Sequence, residues 1–211
     1  FIKIEGTNFT DSLLVGHSTT GTLDAAADNT GVGIDALPAL TTGDKNTVVG
    51  AGAGVLITSG SNNTLMGQHA GDAITTTAGN TLIGKAAGSA ITGNYGTGVG
   101  FNVLTVATGQ FNTAVGAYAG DSILGGARNI CFGYQAGQNL TTGDGNVIIG
   151  NVDAASATND VQLKISGYDG STTANWIAGD SSANVTLGAD LTIGDDFNMT
   201  TDSSVINFGA D

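Results

Sequence analysis

The sequence is short of proline, cysteine and charge, and each shortage excludes a class of protein. Collagen-like chains combine glycine with frequent proline, whereas this chain has 35 glycines and 1 proline in 211 residues. A lone cysteine, Cys131, cannot form an internal disulfide. No stretch approaches the roughly 18 consecutive apolar residues of a membrane helix, so we predict no membrane insertion.

Basic residues are especially scarce. The formal net charge is −13, from 18 acidic and 5 basic residues. The basic residues are scattered singly, at Lys3, Lys45, Lys85, Arg128 and Lys164. A nucleic-acid binder needs clustered cations to neutralise phosphates, so we exclude nucleic acid as a partner.

The chain nevertheless has the composition of a folded protein, because 40% of its residues are hydrophobic. It begins at Phe1 and stops at Asp211 within a strand-like pattern, so we expect a fragment of a longer protein.

A short repeat dominates the sequence, and it is anchored on a glycine preceded by an apolar residue. Successive glycines are 17, 17, 17, 17, 16, 16, 17 and 17 residues apart. These turn glycines are Gly16, Gly33, Gly50, Gly67, Gly84, Gly100, Gly116, Gly133 and Gly150. The apolar residues before them, predicted to form the structural core ladder, are Val15, Val32, Val49, Met66, Ile83, Val99, Val115, Phe132 and Ile149. A fixed short period is the signature of a solenoid.

Other columns follow the same frame. Seven residues after the glycine comes a second apolar ladder: Leu23, Leu40, Ile57, Ile74, Ile91, Ile123 and Leu140, with Ala107 and Ala157 in the other coils. Asn and Thr precede the Val-like column in most coils, giving the consensus Asn-Thr-x-Val-Gly-x-x-Ala-Gly-x-x-Leu-Thr-Thr-Gly-x-x. We predict one short strand at Asn-Thr-x-Val, a second at the Leu/Ile column, and turns at the glycines.

The predicted fold class is therefore all-β, a parallel β-solenoid of nine coils of about 17 residues each. At about 4.8 Å per coil, nine coils span about 43 Å. The residue between Thr and Val is also often apolar, as in Leu14, Leu65 and Ile148. Such small coils cannot bury two apolar faces internally, so we predict a parallel homotrimer in which one face meets neighbouring protomers. The alternative is a monomer with a half-apolar outer strand.

The repeat suggests four regions. Residues 1–11 are a lead-in, 12–151 the solenoid, 152–160 a polar link, and 161–211 a β-rich C-terminal segment. In the last region we predict strands at Val161–Ile165, Asn184–Leu187, Asp190–Ile193 and Ser204–Phe208, and expect Trp176 to cap the solenoid or pack at the junction.

The stretch from Asn112 to Gly120, Asn-Thr-Ala-Val-Gly-Ala-Tyr-Ala-Gly, resembles the repeats of trimeric phage tail fibres. It is also similar to the head repeats of trimeric autotransporter adhesins. Residues 187–196 are similar to segments that follow such repeats in marine phage fibres. The resemblance implies a structural shaft in a virion that presents a host-recognition tip. Its implied partners are itself, other tail proteins and, through regions outside this chain, a host receptor. The alternative is the head of an adhesin at the bacterial cell surface.

Candidate catalytic and metal-binding residues are few, so we expect no enzyme, no cofactor and no metal. His17 and His69 lie three coils apart, and Cys131 lies in a packing column without a base. Asp72 and Asp121 share a column three coils apart, which makes a polysaccharide-degrading tailspike a distant third reading. The acidic turns at Asp44 and Asp144 leave structural calcium as a minor possibility. Aromatic residues that could stack on sugar, at Tyr95, Phe101, Phe111, Tyr118 and Tyr134, are sparse.

A threonine-rich solenoid also raises the possibility of ice binding, which would require a flat outward Thr array. Adjacent pairs such as Thr41-Thr42 diverge. The Thr before the Val-like column is predicted to face inward with it. We therefore do not expect ice binding.

Overall fold

A computed structural model of the chain describes residues 2–6, 9–16 and 24–188, with side chains from Ser12 onward. Within these ranges the chain forms strands and turns, and it contains no helix that could cross a membrane. The strands are β1 (Ile2–Gly6), β2 (Phe9–Val15), β3 (Ala26–Ala27), β4 (Thr30–Val32), β5 (Thr47–Val49), β6 (Thr64–Met66), β7 (Thr81–Ile83), β8 (Thr97–Val99), β9 (Thr113–Val115), β10 (Ile130–Phe132), β11 (Val147–Ile149), β12 (Leu163–Tyr168), β13 (Thr173–Gly179) and β14 (Val185–Leu187).

The strands form one sheet, and its central part is a parallel ladder with one short strand from each coil. The ladder consists of β2 and β4 to β12, each strand pairing in parallel with the next, while β3 pairs beside β2. Equivalent repeat positions are in register: Thr47 pairs with Thr64, and Val49 with Met66. The all-β class and the parallel solenoid predicted from the repeat are thereby confirmed. The ladder has ten rungs joined by nine turns of the solenoid.

Antiparallel strands lie at both ends of the ladder. β1 pairs antiparallel with β2, and β12 continues into the antiparallel strands β13 and β14. An open solenoid end would leave a row of unpaired backbone groups, and these strands pair with it. β12 and β14 overlap two predicted strands, whereas β13 was not predicted. The predicted strands Asp190–Ile193 and Ser204–Phe208 extend beyond the described residues.

Residues 152–160, predicted to be a link, instead form part of a further coil. Val152 and Ala154 are buried, and the amide of Thr141 donates to the carbonyl of Ala157 at 2.8 Å. The first residues of β12 then pair in register with β11, with Leu163 opposite Val147. The ladder therefore crosses the predicted boundary at residue 151 and ends in β12.

The turn glycines are required by both backbone conformation and space. All nine have positive φ, between +98° and +148°. At Gly67, where φ is +138°, an added Cβ would lie 2.3 Å from the carbonyl oxygen of Gly84 in the next coil. A larger residue would strain its own backbone and collide with its neighbour. Glycine is what lets successive coils approach closely at this corner.

The core is filled from a different column than predicted. The middle residue of each three-residue strand points inward: Leu14, Val48, Leu65, Leu82, Ala114, Cys131 and Ile148 are each at most 1% exposed. The predicted core ladder faces outward instead, as shown by exposures of 38% at Val32, 46% at Met66 and 56% at Phe132. Alternation along a strand puts Thr and Val on the same face, opposite the residue between them. The prediction had the alternation right but chose the wrong side.

The second apolar ladder is buried, but it does not form a strand. Leu40, Ile57, Ile74, Ile91, Ile123 and Leu140 are at most 1% exposed, while Leu23 lies outside the described residues. The backbone beside this column makes turns. The amides of Thr58, Ser59 and Gly60 all donate to the carbonyl of Thr75, at 3.0 to 3.3 Å. Since three donors converge on one acceptor, a regular strand ladder cannot form there, and the predicted second strand is wrong.

A buried ladder of asparagine side chains holds the coils in register. Asn63 illustrates it: its Nδ2 donates to Oδ1 of Asn46 at 3.0 Å and to the carbonyl of Thr77 at 3.1 Å. Its Oδ1 accepts hydrogen bonds from the backbone amide and Nδ2 of Asn80. The ladder runs through Asn29, Asn46, Asn63 and Asn80, is interrupted at Gly96, and resumes through Asn112, Asn129, Asn146 and Gln162. Each buried amide is thereby satisfied by the next coil.

Candidate functional site

The largest regular surface is the outward face of the parallel ladder, which we call the strand face. It consists of the first and third residues of the ten rungs, such as Thr47 and Val49, or Thr113 and Val115. Six consecutive rungs, β4 to β9, present Thr at the first position. The prediction that this Thr column faces inward is wrong, because it shares the outward face with the Val-like column.

The strand face carries no charge. Its outward residues in the described rungs are Thr, Val, Leu, Ile, Met and Phe, without a single Asp, Glu, Lys or Arg. This contrasts with the formal net charge of −13 for the whole chain. A neighbouring column, directly after the turn glycines, adds further apolar area, with Ile34 67% and Tyr134 51% exposed. The result is a long apolar and hydroxyl-bearing surface on an otherwise acidic molecule.

Aromatic residues that are distant in sequence meet along both edges of the strand face. On one edge, the Tyr95 and Phe111 rings stack with centroids 5.3 Å apart and planes 3° from parallel. The Arg128 guanidinium lies 5.7 Å from the Phe111 centroid. On the other edge, Tyr118 makes edge-to-face contacts with Phe101 and Tyr134. A spacing of 16 or 17 residues places equivalent positions in adjacent coils, which explains both groups.

The residues considered for catalysis or metal binding are not brought together. His69 contacts Asp72, with Nδ1 3.5 Å from Oδ2, and His17 lies outside the described residues. Burial raises the pKa of the Asp72 carboxyl, and the charge of His69 opposes this shift. Asp72 and Asp121 are three coils apart, about 14 Å at the spacing of a parallel ladder. That exceeds the separation of a glycosidase carboxylate pair, about 5–10 Å.

Cys131 is a core residue. It occupies the inward column at 1% exposure, and burial raises the pKa of its thiol to about 12. The thiolate is the nucleophilic form of cysteine, so a thiol with this pKa is unreactive near neutral pH.

The acidic turns bind the backbone of the next coil. Oδ1 of Asp44 accepts a hydrogen bond from the amide of Ala27 at 2.8 Å, and Oδ1 of Asp144 accepts one from Ala127 at 2.7 Å. Within residues 2–6, 9–16 and 24–188, no group of three or more His, Cys, Asp or Glu residues is arranged to hold a metal ion. The described turns therefore use their carboxylates as structural caps.

Two clefts flank the C-terminal hairpin of β12 and β13. A polar cleft of about 410 Å³ lies between this hairpin and the last coils, lined by residues that include Gln135, Asp153, Lys164 and Asn175. A second cleft of about 360 Å³ is lined by Gly167, Tyr168, Asp169, Thr172, Ala174 and Trp176. Trp176, expected to pack at the junction, is instead 60% exposed.

The inward column had a signal in the sequence that the prediction missed. Where its residue is glycine, at Gly31 and Gly98, the residue six positions later is Leu37 or Leu104. In the coils of Leu65 and Leu82 that later position is Gly71 or Gly88. An added Cβ at Gly71 would lie 3.0 Å from the Leu65 side chain, so the two positions share one volume. A size exchange of this kind marks both columns as core.

Comparison with known proteins adds no relative: no family model, no curated protein and no solved structure matches this chain.

Proposed function

We propose that this chain is a structural shaft segment that assembles as a parallel homotrimer, as in phage tail fibres, and holds a recognition tip toward a host cell. The observation that carries the proposal is the strand face, which is long, regular and free of charge. Its occupant in the proposed assembly is the same face of two further copies of the chain.

The charge distribution favours a second copy of this chain as that occupant. Each copy carries a formal charge of −13, so two copies repel at long range. Close approach costs least at the one surface from which charge is absent. Because every rung repeats the same Thr-x-Val pattern, parallel copies can pack rung against rung around a common axis.

The area of the surface is consistent with this assembly. Ten rungs span about 43 Å, and three residues about 10 Å, which gives about 430 Å² for the strand face. A stable interface buries about 800 Å² per partner. The adjoining column of Ile34, Phe101 and Tyr134 supplies apolar area on one edge. The proposed interface therefore includes the strand face and that edge, and leaves the opposite edge with Tyr95 and Phe111 accessible.

The experiment is light scattering on residues 1–211 and on a Val99→Asp variant. We expect the unmodified chain to have three times the mass of 20.7 kDa. Val99 lies in the strand face, so the substitution would bring three carboxylates together and yield folded monomers. Ser59→Asp, which adds the same charge at an exposed turn residue, is the matched control and should remain trimeric.

A monomeric mass for the unmodified chain would contradict the proposal. The outward Thr column would then be free, and its fit to an ice surface becomes measurable as thermal hysteresis. Hysteresis that disappears in Thr81→Lys would assign the strand face to ice instead.

A further inference from the structure

Trp176 is exposed in a way that packing does not explain. It is the only tryptophan of the chain, and 60% of it is exposed on the C-terminal hairpin. The shaft core is built from aliphatic side chains and does not include it. Trp is a costly residue to leave in water, and an exposed Trp is frequently a recognition residue.

The backbone around Trp176 is arranged to display its ring. In the pairing of β12 with β13, Ile165 is opposite Ile177 and Ser166 is opposite Asn175, so Trp176 is the extra residue of a β-bulge. Bulges re-aim a side chain relative to its neighbours and often occur beside functional sites. Here the bulge separates Trp176 from Asn175, whose Oδ1 accepts a hydrogen bond from Oγ of Ser166 at 2.7 Å.

A glycine on the neighbouring strand supports the indole from below. A Cβ at Gly167 would lie 2.5 Å from Cζ2 of Trp176, so the ring rests on the glycine backbone. Only glycine permits this contact, since any side chain would push the ring away from the strand. The indole is therefore fixed against β12, while most of the residue remains open to solvent.

The surroundings of the ring combine apolar area with hydrogen-bonding groups. Tyr168, Asp169 and Thr172 line the same cleft of about 360 Å³. Oδ1 of Asp169 accepts hydrogen bonds from the turn at Ser171 and Thr172, at 2.7 to 3.0 Å. These bonds lower the pKa of Asp169. Its carboxylate is therefore ionised at neutral pH, and the lysine of this hairpin, Lys164, lines the other cleft.

We propose that this cleft binds a neutral saccharide, with one sugar ring stacked on the indole of Trp176. A pyranose ring has an apolar C–H face that fits an aromatic surface, and hydroxyls at its rim that bond groups such as Thr172 and Asp169. The ionised Asp169 accepts hydrogen bonds from hydroxyls and repels acidic sugars, so the ligand is neutral. The site belongs to the hairpin alone and does not depend on the trimer of the proposed function.

The test begins with an array of neutral and acidic glycans, probed with the full chain. The neutral glycan with the strongest signal is then titrated, with the fluorescence of the single tryptophan as the direct readout. We expect saturable binding and a change in Trp176 emission. The absence of any neutral binder, or stronger binding of acidic glycans, would overturn the proposal.

Variants then locate the site by calorimetry with the same glycan. Trp176→Ala and Gly167→Ala are expected to weaken binding at least about tenfold, because one removes the ring and the other displaces it. Tyr134→Ala removes an exposed aromatic residue from the shaft and is the control that should bind normally. Equal losses in Trp176→Ala and Tyr134→Ala would refute the assignment. Light scattering on each variant separates a lost saccharide site from a lost trimer.

Discussion

Replacing Asn63 by Ala tests how the coils are held together. The Asn63 side chain takes part in four hydrogen bonds, which connect it to Asn46, Thr77 and Asn80. Oδ1 of Asn46 keeps one further bond, from the amide of Asn63 at 3.1 Å. The substitution therefore leaves three groups without these partners: the amide and Nδ2 of Asn80, and the carbonyl of Thr77.

An unsatisfied buried polar group costs about 1–3 kcal/mol. Thr77 is only half-buried, so we take the lower part of that range for the three groups. The expected loss in the free energy of unfolding is about 3–6 kcal/mol, a large part of the total of about 5–15 kcal/mol for a natural protein. Because each coil contacts only its neighbours, we expect unfolding to begin near the substituted coil.

Urea denaturation followed by circular dichroism measures the loss, and amide hydrogen exchange at Asn80 locates it. Gln68→Ala is the control in the same coil, since Gln68 is exposed and its side chain has no hydrogen bond within the described residues. It should change stability by no more than about 0.5 kcal/mol. If Asn63→Ala were no more destabilising than this control, the asparagine ladder would not be a source of stability.

Four further predictions test individual positions. Leu65→Ala should cost about 2–5 kcal/mol in urea unfolding, whereas Met66→Ala should cost less than about 1 kcal/mol in a monomer; equal losses would contradict the assigned sides of the strand. Cys131 has a thiol pKa of about 12 and should resist alkylation in the native protein but react after unfolding; rapid native labelling would show that it is accessible. Thr77→Val should raise stability by about 1 kcal/mol, because Oγ1 of Thr77 is a buried oxygen without a hydrogen bond in the described residues; a lower unfolding midpoint would show that the hydroxyl is satisfied. The native pKa of Asp169 lies below 3.8, so its turn bonds are complete above that pH and are lost as the pH falls through the native pKa; amide shifts of the turn should titrate there, and a midpoint above 3.8 would contradict the prediction.

The solenoid could be predicted from the sequence because its period is a local property of the chain. The recurrence of an apolar residue and glycine, as at Met66-Gly67 and Val115-Gly116, defines the coil length and its sharp corner. A constant period of about 17 residues stacks equivalent positions, so the parallel register follows directly. Burial of the Leu40 and Ile57 column also follows, since it is apolar in most coils.

The candidate sites were less accessible to sequence reasoning. Scattered positions such as Tyr95 and Phe111 meet only because two coils in that region are one residue shorter and the columns still align. Trp176 was singled out, but its exposure depends on a bulge and on Gly167 in the paired strand. The pairing of β12 with β13 is not periodic, so the repeat contains no information about it.

The sequence by itself determined the coil, its glycine corner and the stacking of identical positions, because these depend on local conformation and a fixed period. Only the tertiary structure decided which side of each strand is inside. Alternation separates Leu65 from Thr64 and Met66, but it does not say which group is buried when both sides are apolar. The buried asparagine next to Thr64 and the volume shared by Leu65 and Gly71 decide it. These contacts exist only after neighbouring coils have packed together.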